Sequence, residues 1–394
     1  MVGDQGGLET MSKKRLLILG GYGNTGYPLA KLLLKYSDAH LILAGRSLEK
    51  ASAAALALNG KGKKSRVEAM RLDAVDPYAL RHAFKAVDMV VVASSTARYT
   101  ETIVDEAIKV GIDYLDVVFS TEKLKVLKKY EERISKAGLC FITDGGFHPG
   151  LPALMVRHLA VEFEHLTRAR VGSVIQMDWN ELEFSDATAI EMIEEFRGIE
   201  MKCFRNGRWN KPGLKGPEYI RMDFGEPFGR RSCVSMYLEE MGSLPALYPD
   251  LKDTGFYVGS FNWFVDYVVM LLMYPVLWLF PRRGVKPMAR LMVWGLKTFS
   301  KPPFGTLLRC EAQGEKDGEP LSLAMTISHP DGYYFTAAPA AACLMQYLDG
   351  SIRKTGLHTQ AILSRPHHFM KDLKKMGISV LNENPYEGSH HEKN

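Results

Sequence analysis

Residues 15–34 constrain the fold most. Residues 15–20 (RLLILG) form a short apolar run with a charged lead-in, the mark of a buried strand. Gly20-Gly21-Tyr22-Gly23-Asn24-Thr25-Gly26 follows at once, then a helix through Leu29, Ala30, Leu32, Leu33 and Leu34. Pro28 falls in that helix's first turn, where its missing N–H costs little. A GxGxxG pattern alone is weak. Set between a strand and a helix near the start of a sheet, it has the context that a dinucleotide pyrophosphate requires. Gly21 permits the tight turn, Gly23 lets the backbone approach, and Gly26 lets the helix pack close. The helix N-terminus then offers unpaired N–H groups to an anion.

The alternation continues. Strands are predicted at residues 40–44, 66–72, 88–93, 113–118 and 139–143, separated by helices at 48–59, 77–85, 100–110 and 120–137. Ser120 is placed to cap the last helix, with Glu122 in its first turn. Six strands separated by helices imply an α/β domain with a parallel, doubly wound, Rossmann-like sheet. Its ligand crevice lies at the carboxyl ends of the strands, where their order reverses.

The second strand ends Ala44-Gly45-Arg46-Ser47. An acid here would hold the ribose 2′-hydroxyl of NAD. None is present, and Arg46 stands there with Ser47 and Lys50 close by. A guanidinium binds a 2′-phosphate through charge-assisted hydrogen bonds, so NADP is the expected cofactor. Asp73 and its neighbour Ala74 follow the third strand, where the adenine ring rests; Asp76 reads as a helix cap. Ser94, Ser95 and Thr96 follow the fourth strand on the nicotinamide-ribose side.

The chain has 394 residues, enough for two domains. Hydrophobic residues make up 46% and charged residues 24%, which excludes an intrinsically disordered chain. A formal charge of +5 is too weak to argue for nucleic-acid binding. The 5 cysteines include no CxxC pair, which argues against a zinc module or disulfide scaffold and for a reducing, cytoplasmic setting. Residues 1–12 read as a disordered lead-in, with Met11 a possible second start. The polar tail 386–394 is expected to fray, although His390 and His391 could bind a metal; no metal site is predicted.

The chain resembles the saccharopine dehydrogenase-like superfamily. The carriers are GGYGNTG (20–26), AGRS (44–47), RLDAVD (71–76), AIKVGIDYLDV (107–117) and GGFHPGLPALMV (145–156). DGYYFTAAPAAACLMQYLDG (331–350) and residues 365–380 fit the lipid-related branch, which includes trans-acting enoyl reductases. The resemblance is specific at the N-terminal end and looser in the middle. It implies a nicotinamide-dependent oxidoreductase with a Rossmann domain, an α+β second domain and a homodimeric assembly. Members reduce C=N or C=C bonds. The amino-acid branch needs cations for substrate carboxylates, and Arg98, Arg197 and Arg205 are candidates.

The expected division is a Rossmann domain at 13–147, an α+β substrate and dimerisation domain at 148–335, and a C-terminal helical segment at 336–385 returning to the first domain. In the second domain, helices are predicted at 149–160 and 187–197, a strand at 168–177, and a hairpin of 307–313 with 321–329. The loops after strands five and six carry Tyr114, Asp116, Ser120, Asp144 and His148. Hydride transfer that leaves an enolate or amine needs a proton donor, and Tyr114 or His148 could supply it. Asp116 is a catalytic candidate that reads more readily as a loop-organising acceptor, and His148 also reads as a structural histidine of the interdomain turn.

Residues 267–310 contain no acid and 7 basic residues, inside an apolar, basic segment at 261–304. After Asp266, the apolar run to Phe280 is 14 residues, too few to span a bilayer. Tyr and Trp at 263, 267, 274 and 278 suit a membrane boundary, and Arg282 and Arg283 follow. Lys286, Arg290, Lys297 and Lys301 share one helical face, with Met288, Leu291, Met292, Leu296 and Phe299 opposite. Such a helix binds an anionic membrane surface through residues 261–301, or else packs in a soluble hairpin or dimer interface. The sequence predicts an NADPH-dependent reductase of a small lipophilic substrate, acting at C=C as a peripheral membrane protein. The alternatives are a soluble amino-acid dehydrogenase acting at C=N and a non-catalytic NADP sensor or scaffold.

Overall fold

The computed structural model describes residues 14–60, 65–181, 186–213, 217–259 and 261–383. The expected lead-in and tail, with Met11, His390 and His391, lie outside the described residues.

The first part alternates as the apolar periodicity dictates: β1 (Arg15–Leu19), α1 (Gly26–Tyr36), β2 (His40–Gly45), α2 (Leu48–Asn59), β3 (Val67–Arg71), α3 (Pro77–Phe84), β4 (Met89–Val92), α4 (Thr100–Val110), β5 (Asp113–Asp116), α5 (Thr121–Lys136) and β6 (Cys140–Thr143). All pairings in this sheet are parallel, and these strands lie in the order β6-β5-β4-β1-β2-β3. β4 is buried throughout because helices cover both faces of the sheet. Asp76 caps α3 by accepting from the Tyr78 and Ala79 amides, and Ser120 caps α5 through the Lys123 amide. The strand order reverses between β1 and β4, so the crevice opens beside the glycine loop.

The second part contains α6 (Pro152–Ala160), β7 (His165–Gln176), α7 (Asp186–Gly198), β8 (Cys203–Arg205), β9 (Arg208–Asn210), β10 (Tyr219–Asp223), β11 (Arg230–Met236), α8 (Glu239–Gly242), α9 (Leu244–Leu247), β12 (Asp253–Gly259), α10 (Met270–Leu279), α11 (Val285–Phe299), β13 (Gly305–Lys316), β14 (Glu319–His329) and α12 (Gly332–Leu348). Its sheet is mixed. β12 pairs parallel with β7, and the other neighbours are antiparallel. Strand alternation sends Ala169 and Val171 of β7, Cys310 and Ala312 of β13, and Met325 and Ile327 of β14 into a core shared with α6 and α12. That core also takes in Leu29 and Leu33 of α1, so one apolar body spans both sheets.

The C-terminal segment departs from the helical expectation. After α12 come β15 (Gly356–Thr359), α13 (Gln360–Leu363), α14 (Pro366–Lys375) and β16 (Ser379–Glu383). β15 joins the first sheet beside β6 as a seventh strand, and β16 joins the second beside β14. Both are edge strands too short to carry a clear alternation. The segment is anchored at the amino end of β5. There Asp113 accepts from the Tyr347 hydroxyl (2.6 Å), Arg353 Nε (2.9 Å) and the Cys140 amide (2.8 Å).

The apolar, basic segment folds as a helical hairpin, and one expectation needs correction. Met288, Met292 and Leu296 of α11 are buried against Ala189 and Ile193 of α7 and against Val265 and Val269. The apolar side of α11 is therefore spent inside the protein. The exposed apolar groups belong chiefly to α10 and its approach: Tyr267 (71%), Leu271 (68%) and Trp278 (81%), with Leu279 and Phe280. Lys286 and Arg290 both face Asp186 of α7, at 3.1 and 3.5 Å. Lys301 lies beyond the helix end. No described helix is long and apolar enough to cross a membrane.

Deleting residues 350–383 would uncover the hydrogen-bonding edges of β6 and β14 together. Such edges template aggregation. The truncated chain is expected in the insoluble fraction, and size-exclusion chromatography beside the full chain checks this; a monodisperse truncated product would contradict it.

Candidate functional site

The glycine loop is a cradle defined by close approach. Gly20 has φ 88°, and a side chain there would meet the Ala93 carbonyl and Ser94. A Cβ at Gly26 would collide with the Gly20 carbonyl oxygen, so α1 starts with its amino end directly over β1. The loop thus touches the β4 exit, where Ser94 and Thr96 lie 3.3 Å apart through their hydroxyls and Ser95 is exposed. Asn24 is exposed, and Gly23 and Thr25 are half-buried. This is the gap a pyrophosphate needs at a helix N-terminus.

The ribose end is built from three elements. The Tyr22 ring lies over Gly45, where any side chain would strike it, and its hydroxyl accepts from the Ser47 amide at 3.1 Å. Ser47 caps α2. Arg46 is exposed and makes no ion pair among the described residues. Asp73 is exposed and accepts from the Val75 amide, while Ala74 is buried. The structure therefore gathers the expected cofactor residues along one edge, at the ends of β1, β2, β3 and β4. An intact glycine cradle beside an unspent guanidinium fits a 2′-phosphorylated dinucleotide.

The expected catalytic residues do not form one constellation. Tyr114 points into the core, stacked on Phe141 at 5.1 Å. Burial first, and then the charge of Asp116, hold its phenol well above the ordinary range. This corrects the expectation of a proton donor there: a phenol enclosed in the core has no route to a substrate.

Asp116 belongs to a buried ion cluster. Lys123 Nζ donates to Asp116 Oδ1 and Asp144 Oδ1, each at 2.7 Å, and to the Val118 carbonyl. Asp116 Oδ2 accepts from the Thr143 hydroxyl at 2.8 Å. Burial works against the Lys123 charge, yet the attraction of Asp116 and Asp144 leaves its pKa raised. Asp144 stands at φ 60°, and its pKa is raised by burial first, against the pull of Lys123. Glu240 of α8 faces the same corner. Its Oε1 accepts from the Ala153 amide at 3.2 Å, while its Oε2 and the Oδ2 of Asp144 have no partner. Burial, then the charge of Asp144, push Glu240 up to about 8.

Asp116 is thus an acceptor that organises this corner. Lys123 and Glu240 were missed by sequence reasoning. For Lys123 a signal existed: it shares the buried stripe of α5 with Leu127, Tyr130 and Ile134, at helical spacing. Glu240 sits in a four-residue helix with no periodicity to read.

His148 lies in the turn from β6 to α6, between Phe147 (4.2 Å) and Phe256 of β12 (5.6 Å). Burial lowers its pKa to about 3. Its imidazole is neutral, and both ring nitrogens are without a partner among the described residues. At Gly150 (φ 129°) a side chain would collide with the Gly146 carbonyl, so the turn is closed tightly around His148.

The three arginines expected for carboxylate recognition do not converge. Arg98 is exposed against Tyr99, Arg197 is on α7, and Arg205 pairs with Glu218 and Asp253 on the second sheet. Among the described residues no group of three His, Cys, Asp or Glu side chains is placed to hold a metal.

A parallel doubly wound domain with this cradle, joined to a mixed-sheet domain, defines a nicotinamide dinucleotide-dependent protein of two-domain type. Residues 16–141 match the family described as the saccharopine dehydrogenase NADP binding domain. The first domain is therefore an NADP-binding domain similar to that of this family. Among solved structures, apo saccharopine dehydrogenase (L-Glu forming) from Saccharomyces cerevisiae is similar in fold, with a TM-score of 0.67 and 16% identity over 94% of this chain and 99% of that one. A meso-dapdh mutant with DAP from Clostridium tetani E88 gives a TM-score of 0.44 and 13% identity over 92% and 99%, too loose to argue from. No curated protein sequence matches the chain.

Two predictions follow the geometry. Arg46→Ala should weaken NADPH binding about tenfold or more while leaving NADH nearly unchanged; fluorescence titration of both cofactors reads it, and equal losses would refute the role of Arg46. The second concerns Glu240. The unfolded chain releases this proton near the ordinary value of 4.5, whereas the folded chain holds it to about 8. The folded state binds the extra proton between these values, so stability falls as pH rises through that window. Glu240→Gln should abolish the fall and exceed the natural protein at about pH 9 by a few kcal/mol, measured by urea unfolding; an unchanged pH profile would contradict it.

Proposed function

We propose that the protein is an NADPH-dependent reductase of a lipophilic substrate, acting while docked on an anionic membrane surface. One observation carries this reading. α10 leaves Leu271, Trp278 and Leu279 exposed, with Phe280, Arg282 and Arg283 directly after them. Apolar and aromatic groups bordered by cations, with no acid from Tyr267 to Cys310, match the headgroup boundary of an anionic bilayer. The two-helix hairpin is the amphipathic unit: α11 supplies the internal packing and α10 the outward face. The scattered arginines weigh against an amino-acid substrate.

The cofactor supplies a hydride when bound. Its phosphates would be held by the amides of residues 21–26 and by Arg46, with Ser94 and Thr96 toward the nicotinamide side. Of the three candidate catalytic residues, His148 alone keeps unspent hydrogen-bonding capacity. Both its ring nitrogens are buried, so it would meet a substrate carbonyl only after the interdomain turn opens; as a neutral imidazole it would then donate one hydrogen bond, and it cannot supply an imidazolium proton near neutral pH. The reaction suited to the resemblance is reduction of a C=C bond conjugated to such a carbonyl, with the hydride coming from the cofactor and the proton that quenches the enolate from solvent water.

The test is NADPH oxidation with a panel of enoyl lipids, amino acids and keto acids, with and without anionic vesicles. Turnover of enoyl lipids, increased by vesicles, is expected; turnover confined to amino or keto acids would sink the proposal. Trp278→Asp with Leu279→Asp should lower vesicle flotation about tenfold or more.

A further inference from the structure

We propose that the groove between α7 and the turn joining α10 to α11 seats the phosphate of a single anionic lipid, a phosphomonoester headgroup. The proposal rests on the docking reading above and gives it a specific ligand. The groove has a volume of about 430 Å³, within the range of small-ligand sites. Arg197, Arg282 and Lys286 line it, opposed by Glu194, over a floor that includes Ile190 and Val285.

The donors are only partly spent. Arg282 makes no hydrogen bond or ion pair among the described residues. Arg197 reaches the Pro281 carbonyl only at 3.4 Å. Lys286 has Asp186 at 3.1 Å, shared with Arg290. Among the described residues the lining sets three cations against one carboxylate, a balance of +2. A phosphodiester carries one charge and must compete with Glu194 and Asp186. A phosphomonoester carries about −1.5 to −2 and two guanidinium forks can grip it, so the dianion matches the lining.

Position supplies the second argument. Leu279 and Phe280 are exposed and immediately precede Pro281 and Arg282. A lipid whose chains lie among α10's apolar side chains would carry its headgroup into the groove without a gap. Arg283, Lys297 and Lys301 lie outside the lining and would supply only the diffuse attraction of any basic surface.

The experiment uses the full chain and vesicles of phosphatidylcholine mixed with either phosphatidic acid or phosphatidylserine, adjusted to equal surface charge. Phosphatidic acid vesicles should bind about fivefold tighter. The double variant Arg282→Gln with Lys286→Gln should lose that preference. Lys297→Gln with Lys301→Gln, the same charge loss outside the groove, should keep it. Circular dichroism confirms that both variants fold. Equal binding of the natural protein to both vesicles overturns the headgroup seat and leaves docking intact. Binding to neither overturns docking, and calorimetry with glycerol 3-phosphate then decides the groove. Binding of glycerol 3-phosphate that is lost in the Arg282 and Lys286 variant would assign it to a soluble phosphomonoester and overturn the lipid source. No binding would overturn the seat altogether.

Discussion

One ammonium group holds the corner where the two sheets meet. Asp116 ends β5, and Asp144 directly follows the end of the adjacent strand β6, so the pairing register brings the two together. Removed from water, two carboxylates this close would repel and drive the strand ends apart. Lys123 prevents that by reaching back from the first turn of α5 to both. Its own burial is tolerable only because both partners are in contact with it. The chain leaves β6 through Asp144 toward the second domain, so the direction of that exit is tied to the ion cluster.

The same cluster explains the unusual state of its neighbours. Glu240 comes from the far domain and adds a third carboxyl to a site with one cation. Holding a proton is the cheaper solution at neutral pH. His148 follows Asp144 by four residues in the interdomain turn, and there the imidazole is wrapped by aromatic rings instead of charges. Adjacent segments of one turn thus provide a charged environment and an apolar one.

The first domain was legible because its strands are short apolar runs bounded by glycine and acid signals. The apolar centre of β4 (Val90, Val91, Val92) can only be interior, and the loop at 20–26 announces its own strand and helix. The second domain was less legible. A mixed sheet with one parallel pair, β12 beside β7, gives no repeating unit. β15 and β16 are edge strands of 4 and 5 residues whose identity comes from the neighbour they meet. In α11 the apolar stripe was visible, but nothing local says whether lipid or α7 covers it. The ion cluster was half visible: Lys123 lay on a buried stripe, while Glu240 depended on a tertiary approach.

The late arrival of β15 has a temporal meaning. A Rossmann sheet whose outermost strand lies more than two hundred residues downstream of β6 remains provisional while the ribosome makes the intervening half. Its nascent edge is open throughout, and the apolar body beneath α1 waits for α12. The edge of β6 is closed only once the chain as far as β15 has been made, so the nascent chain carries an open strand edge through that interval.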